Sequence, residues 1–195
     1  MAKKLLIAKI PDSVLRQVAK DISIDAIKSR RIQDLIEDMK LTLKETPNGV
    51  GLAAPQVGQS LRLFIVSEEA EEIDRIEKDG EKRVKHGKIR DEEGNEKEAY
   101  EKRDWKYYAF INPKALKQSK IKLERAEGCL SVPKKFGEVK RFEKITVSAY
   151  GEHGKKFTRG ATRFFARVIQ HELDHLEGAL FIDKAKHIFE EDDKK

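Results

Sequence analysis

Apolar residues recur along this chain in two rhythms. Across residues 25–44, Ile32, Leu35, Ile36, Met39 and Leu43 fall at i, i+3, i+4, i+7 and i+11, so one apolar stripe can face a core while charge covers the other sides. That spacing predicts a surface helix, and Thr46-Pro47-Asn48-Gly49 supplies the turn chemistry that ends it. A shorter helical stretch opens at Pro11-Asp12-Ser13, where Val14, Leu15 and Val18 keep helical spacing. Ahead of it, the apolar run at residues 5–8 breaks at Lys9 and reads as an opening strand or arm. Residues 61–66 and 107–111 read as buried strands, the second stopped by the breaker pair Asn112-Pro113. Ile145, Val147 and Ala149 alternate with polar residues, and Gly151-Glu152-His153-Gly154 turns the chain into residues 155–158 as a hairpin. Helical spacing returns from residue 162 to 176. Strands followed by a late helix predict an α+β fold in which antiparallel or mixed sheets pack around that helix.

At 195 residues the chain suits a single domain, residues 1–195, with room for a real hydrophobic core. Charge changes that picture locally. Asp, Glu, Lys and Arg make 39% of the chain, against a typical ~25%. Residues 68–106 hold 15 acidic and 11 basic side chains in 39 positions. Apolar content there is too thin to cover a core, so the segment reads as a charged insertion: a solvated hairpin, a helical excursion or a disordered stretch. Without it the body carries 30 basic and 20 acidic residues, +10, behind a whole-chain net of +6. Dense charge of both signs differs from the one-sided basicity of a dedicated nucleic-acid binder, and no apolar window is long enough for a membrane span. The single cysteine, Cys129, excludes an internal disulfide and favours a reducing cytoplasm.

The sharpest chemical signal is His171-Glu172-Leu173-Asp174-His175 inside the late helix. Imidazoles at i and i+4 stand one turn apart on one face, so both reach one metal ion, and Glu172 is placed to orient water beside it. The bland reading is a charged amphipathic helix that happens to carry two histidines; Ile169, Leu173 and Leu176 supply the face that would seat it either way. A catalytic site needs a third ligand. His86, His153 and His187 lie in the insertion, a turn and a charged tail, and read as exposed, whereas Cys129 sits in the tight segment Glu127-Gly128-Cys129-Leu130-Ser131-Val132-Pro133. Farther back, Gly49-Val50-Gly51-Leu52-Ala53-Ala54-Pro55-Gln56 is either a small-residue turn feeding a strand or a loop whose backbone pairs with an extended substrate. In the second reading Gln56 offers an amide donor to a developing oxyanion.

These three motifs, in this order, resemble the signatures of the peptide deformylases, which remove the formyl group from the amino-terminal methionine of new bacterial or organellar proteins. Ile10-Pro11-Asp12, Leu15-Arg16 and Asn112-Pro113 extend the resemblance over nearly the whole chain outside the insertion. It implies one divalent ion held by Cys129, His171 and His175, natively Fe(II), with Zn(II), Ni(II) or Co(II) as substitutes. It also implies Glu172 as general acid and base, and an oxyanion hole made by Gln56 and the N–H of Leu130. Val50, Gly51 and Gly128 would line a groove that takes the peptide as an added strand, Val50 and Val168 would wall a methionine pocket, and Glu127 would pair with Arg141. The implied partners are N-formylmethionyl nascent peptides and, through the basic body, the ribosome; DNA and membrane are not expected. Localisation would be cytoplasmic, of bacterial type, with an organellar or phage source left open. Two departures stand out: the insertion is longer than most of the family carry, and the chain ends 195 − 178 = 17 residues after Gly178, too short for the long terminal helix of many bacterial members.

Two other functions compete with deformylation. A zinc endopeptidase also uses a His-Glu-x-x-His helix, but its third ligand is usually a His or Glu, and Cys129 within Glu-Gly-Cys-Leu-Ser argues for deformylation. A non-catalytic metal-binding module of the same fold would dispense with Glu172 and Gln56, which this chain keeps.

Overall fold

The structure is a computed structural model, and it describes residues 1–80, 88–90, 95–100 and 104–190. The first long helix, α1 (Arg30–Lys44), buries Ile32, Ile36, Met39 and Leu43, the stripe expected of it. It starts later than residue 25 because Ile24–Ala26 forms a separate 3₁₀ turn and Ser29 then caps a fresh start, its hydroxyl accepting from the Ile32 N–H at 3.4 Å. The residues after Pro11 likewise form a 3₁₀ turn, Ser13–Arg16, capped by Asp12. The amino terminus is an arm without strand pairing. Asp38 and Thr42 of α1 hold it by accepting from the backbone N–H groups of Lys3 and Leu5 at 2.7 and 2.8 Å.

After α1 the chain runs through β1 (Gly51–Ala53), β2 (Leu63–Ser67), α2 (Glu69–Gly80), β3 (Lys88–Arg90), β4 (Glu96–Glu98) and β5 (Tyr107–Gln118). It continues through β6 (Lys122–Cys129), β7 (Val132–Phe142), β8 (Lys144–Tyr150), β9 (Lys156–Thr162), α3 (Arg163–Leu176) and β10 (Ile188–Glu190). Five strands form an antiparallel sheet in the order β1-β2-β5-β8-β9, three form a second in the order β10-β7-β6, and β3 pairs with β4. The α+β expectation with a late helix is met.

Asn112-Pro113 does not end β5, contrary to the sequence reading. Asn112 takes φ 48°, the pairing with β8 slips between Ile111 and Lys114, and the bulge places Pro113 where no ladder N–H is required. The Asn112 side chain fixes the bulge, accepting from the Ile22 N–H at 2.9 Å and donating to the Ile22 carbonyl at 2.6 Å.

The five-stranded sheet lies between two helices, so β2 is buried on both faces. Leu63, Ile65 and Ile111 face α1, while Phe64, Val66 and Phe110 face α3 with Phe165, Ala166, Ile169 and Leu176. Phe64 and Phe110 stack with centroids 4.8 Å apart and make the centre of the α3 side, where a Phe-to-Ala change costs about 3–5 kcal/mol.

The insertion is more structured than its composition suggests. The α2 helix packs on α3, and its Ala70 and Ile73 are buried, so its first turns do cover core. Among the described residues of the insertion, β3 and β4 pair as a hairpin with mainly exposed positions. Residues 81–87, including His86, lie outside the described residues, as do 91–94, 101–103 and 191–195.

Candidate active site

The late helix α3 presents His171, Glu172 and His175 toward the end of β6, where Cys129 sits. One ligand atom each from Cys129, His171 and His175 lie within 4.8 Å of one another, a set that could hold a metal ion. Cys129 Sγ is 3.3 Å from His175 Nε2, and the Ser131 N–H donates to the sulfur at 3.4 Å. His171 Nδ1 lies 3.0 Å from Glu127 Oε2, which leaves its Nε2 for a ligand. Burial lowers His175 well below the usual histidine range and so keeps a neutral imidazole. Burial acts on His171 in the same sense, but contacts with Cys129 and Glu127 outweigh it and raise that pKa; a metal cation would satisfy the same negative surroundings. Donor type, spacing and protection from water all fit a divalent ion.

Gln56 is buried beside this cluster. Its Oε1 accepts from the Ala53 N–H at 2.8 Å, which turns Nε2 toward Ser131 Oγ at 3.2 Å and Cys129 Sγ at 3.6 Å. Glu172 is buried too, its Oε2 has no hydrogen-bond partner, and burial pushes its carboxyl up to about 7. Gly51 explains itself here: a Cβ on it would run into the Glu172 carboxylate and come to 3.0 Å from Val168 Cγ1. Gly51, Glu172 and Val168 therefore meet at one point, and Val50 packs on the same cluster as Val168. Leu130 follows Cys129 in the turn into β7, and Gly128 lies opposite Phe136, whose ring sits 2.7 Å from where a Gly128 Cβ would stand. His153 and His187 are exposed and take no part.

Behind the histidines runs a buried chain of charge. Glu127 receives Arg141 through Nε and Nη2, both at 2.8 Å, so the pair implied by the resemblance is present. Arg141 and His171 outweigh the burial penalty and hold the Glu127 carboxyl well below the usual carboxylate range. Arg141 Nη1 reaches Asp174 Oδ2 at 2.5 Å, and Lys184 reaches Asp174 Oδ1 at 2.5 Å. Arg167, absent from the sequence reading, donates to Glu127 at 2.6 Å and to the carbonyls of Leu123, Arg125 and Val139 at 2.7, 3.3 and 2.9 Å. It thereby ties α3 to both strands of the β6–β7 ribbon. Its signal in the sequence was an arginine one turn before His171, between the apolar residues Ala166 and Val168.

A family model for polypeptide deformylases matches residues 4–190. The chain belongs to the polypeptide deformylase family. It is 36% identical over 184 residues to the peptide deformylase of Pseudothermotoga lettingae, covering 94% of this chain and 82% of that one. To the chloroplastic peptide deformylase 1A of Solanum lycopersicum it is 35% identical over 178 residues, 91% of this chain but 58% of that longer protein. Among solved structures, the class I type b peptide deformylase from Acinetobacter baumannii bound to Met-Ala-Ser superposes with a TM-score of 0.72 at 30% identity, covering 94% of this chain and 99% of that one. As a member of this family of metalloenzymes, the chain is a hydrolase that removes the amino-terminal formyl group from newly made polypeptides. Among the described residues no helix is long and apolar enough to cross a membrane.

Proposed function

We propose that Cys129 Sγ, His171 Nε2 and His175 Nε2 hold the catalytic ion and that Glu172, Gln56 and Leu130 carry out the hydrolysis. A divalent ion bound there polarises the formyl carbonyl and brings the pKa of water toward ~7. Glu172 takes the proton of the attacking water as a C–O bond forms at the formyl carbon. Gln56 Nε2 and the Leu130 N–H donate to the oxyanion that develops. Glu172 then gives its proton to the departing nitrogen, the C–N bond breaks, and formate leaves a free amino terminus. The observation that carries this reading is the convergence of the three ligand atoms within 4.8 Å beside a buried carboxylate that has an unpartnered oxygen.

Backbone register supports the groove. The Ser67 N–H donates to the Val50 carbonyl, so by the alternation of an antiparallel ladder Leu52 also faces β2, while Gly51 and Ala53 turn their backbone groups to the open edge. Gln56 occupies the Ala53 N–H. Gly51 is left to pair with an extended peptide, with Gly128 lining the other side and Val50 and Val168 walling the methionine pocket.

One thiolate and two imidazoles suit Fe(II) and Zn(II) alike, with Ni(II) and Co(II) able to substitute; we take Fe(II) as the native ion and the cytoplasm as the reducing site of action. The whole chain forms one catalytic domain with a charged insertion at about residues 68–106. The +10 body outside that insertion suits contact with ribosomal RNA, which should weaken steeply with salt. Anaerobic metal analysis of fresh protein, followed by formate release from formyl-Met-Ala-Ser after each metal is restored, tests the centre. Cleavage of a blocked casein peptide without formate would sink the reading, and failure to co-sediment with ribosomes at low salt would remove the RNA contact.

A further inference from the structure

The insertion helix reaches the start of the catalytic helix. Asp74 of α2 accepts from the Phe164 backbone N–H through Oδ1 at 2.9 Å and from the Thr162 hydroxyl through Oδ2 at 2.7 Å. Thr162 occupies the capping position of α3, yet its own side chain makes no capping bond. The next residue, Arg163, has φ 40°, a left-handed value that strains a residue with a side chain, and its N–H is held by the Glu143 carbonyl at 2.7 Å. The first N–H groups of α3 are thus satisfied from outside the helix, across a strained corner. Three residues before Asp74, Glu71 pairs with Arg159 of β9, whose guanidinium lies over the rings of Tyr108 and Phe165 at 4.0 and 5.1 Å. Ala70 and Ile73, buried on the same side, seat α2 against this corner.

We propose that Asp74 is a positioning residue for the substrate: by fixing the first turn of α3 it sets where Phe164 and Val168 stand, and hence the wall that meets the methionine side chain. This rests on the pocket assignment of Val168 made above. Val168 lies one turn after Phe164, and both pack on the cluster that includes Val50. His171, Glu172 and His175 come seven residues or more after Phe164, on a stretch with anchors of its own at Gln170 and His171. Glu127 holds His171, and the Gln170 side chain pairs with the backbone of Phe142 at 3.0 and 2.9 Å. Loss of the cap therefore disturbs substrate fit ahead of metal binding or proton transfer.

The test compares metal-loaded wild type, Asp74→Ala, Asp74→Asn and Val168→Ala for formate release from formyl-Met-Ala-Ser. Metal content and amide hydrogen exchange over residues 160–168 are followed alongside. Asp74→Ala should raise KM and speed exchange in that segment by roughly fivefold, the size of a lost cap, with kcat and metal content close to wild type. Asparagine keeps the acceptor for Phe164 and a donor for Thr162, so Asp74→Asn should return both readouts toward wild type. Val168→Ala should raise KM on its own. An unchanged KM in Asp74→Ala beside a raised one in Val168→Ala overturns the inference and leaves the pocket standing. A fall in kcat at constant KM, or an Asp74→Asn protein no better than Asp74→Ala, overturns it as well. An unchanged KM in Val168→Ala overturns the pocket assignment and the route from Asp74 to substrate with it.

Discussion

Glu127, near the end of β6, faces Arg141 and Arg167; Glu96, on β4 of the insertion, faces Lys88 and Arg90. On paper each is a carboxylate between two cations. Around Glu127 the distances are 2.8 and 2.6 Å and every partner side chain is about 5% exposed or less, whereas around Glu96 they are 3.6 and 3.8 Å with side chains 48–75% exposed. Water can screen the second trio but has little access to the first. The buried trio also passes its order on, because Glu127 holds His171 Nδ1 and Arg167 holds backbone carbonyls of β6 and β7. Charge fixes geometry where burial makes every partner obligatory, and only solubilises where it does not.

The hardest way to break that contrast is Glu127→Ala. Arg167 would then be left in a dry space with no anion, Arg141 would keep only Asp174, and His171 would lose the acceptor that orients it. We expect a loss of about 3–5 kcal/mol in folding stability and roughly 10- to 100-fold weaker metal binding, read by thermal unfolding with and without metal and by chelator competition. A protein that melts within a degree of wild type would show that the network is ornamental.

Glu172 is the third carboxylate to weigh, buried like Glu127 but with an oxygen that no cation or donor meets. An unpartnered buried oxygen suits proton traffic better than bracing, in keeping with the role proposed for it. Glu172→Gln should lower kcat roughly 10²- to 10⁴-fold while metal content and melting temperature hold. Equal losses in activity and stability would place Glu172 with Glu127 among the braces.

Arg167→Met sharpens the comparison from the cation's side. Methionine fills most of the space but leaves the carbonyls of Leu123 and Val139 without their donor, at an expected cost of about 1–3 kcal/mol. Lysine restores charge without the planar fork, so Arg167→Lys should recover only part of it in denaturant unfolding.

What the sequence disclosed follows the same division. The grouping of Cys129, His171 and His175 was legible because cysteine and histidine are rare in this chain and the two histidines stand one helical turn apart, and α3 and α1 because their buried faces are largely apolar. The β6–β7 ribbon was not legible, since its inward positions include Glu127 and Arg141, where an alternation of apolar and polar residues would have been the sign. Arg167 hid as one more charge in a chain that is 39% charged. Asp74 hid for the opposite reason: its role is to cap a helix 88 to 90 positions away, and no local pattern encodes a cap supplied at that distance. Asn112-Pro113 misled because a bulge held by Ile22, far off in sequence, turned a stop signal into a bend.

The smallest expected effect is on the exposed trio. Glu96→Ala removes a partner of Lys88 and Arg90, three side chains that are each about half exposed or more. Exposed pairs of this kind contribute about 0–1 kcal/mol, and β3 and β4 pair with each other rather than with either of the sheets that carry Cys129 or pack on α3. Unfolding midpoint, metal content and formate release should therefore all stay within error of wild type, at low salt as well as high. A loss of activity in Glu96→Ala that salt abolishes in the wild type too would mean that the hairpin's charge acts on something besides its own fold, and the contrast between the two trios would have to be redrawn around that partner.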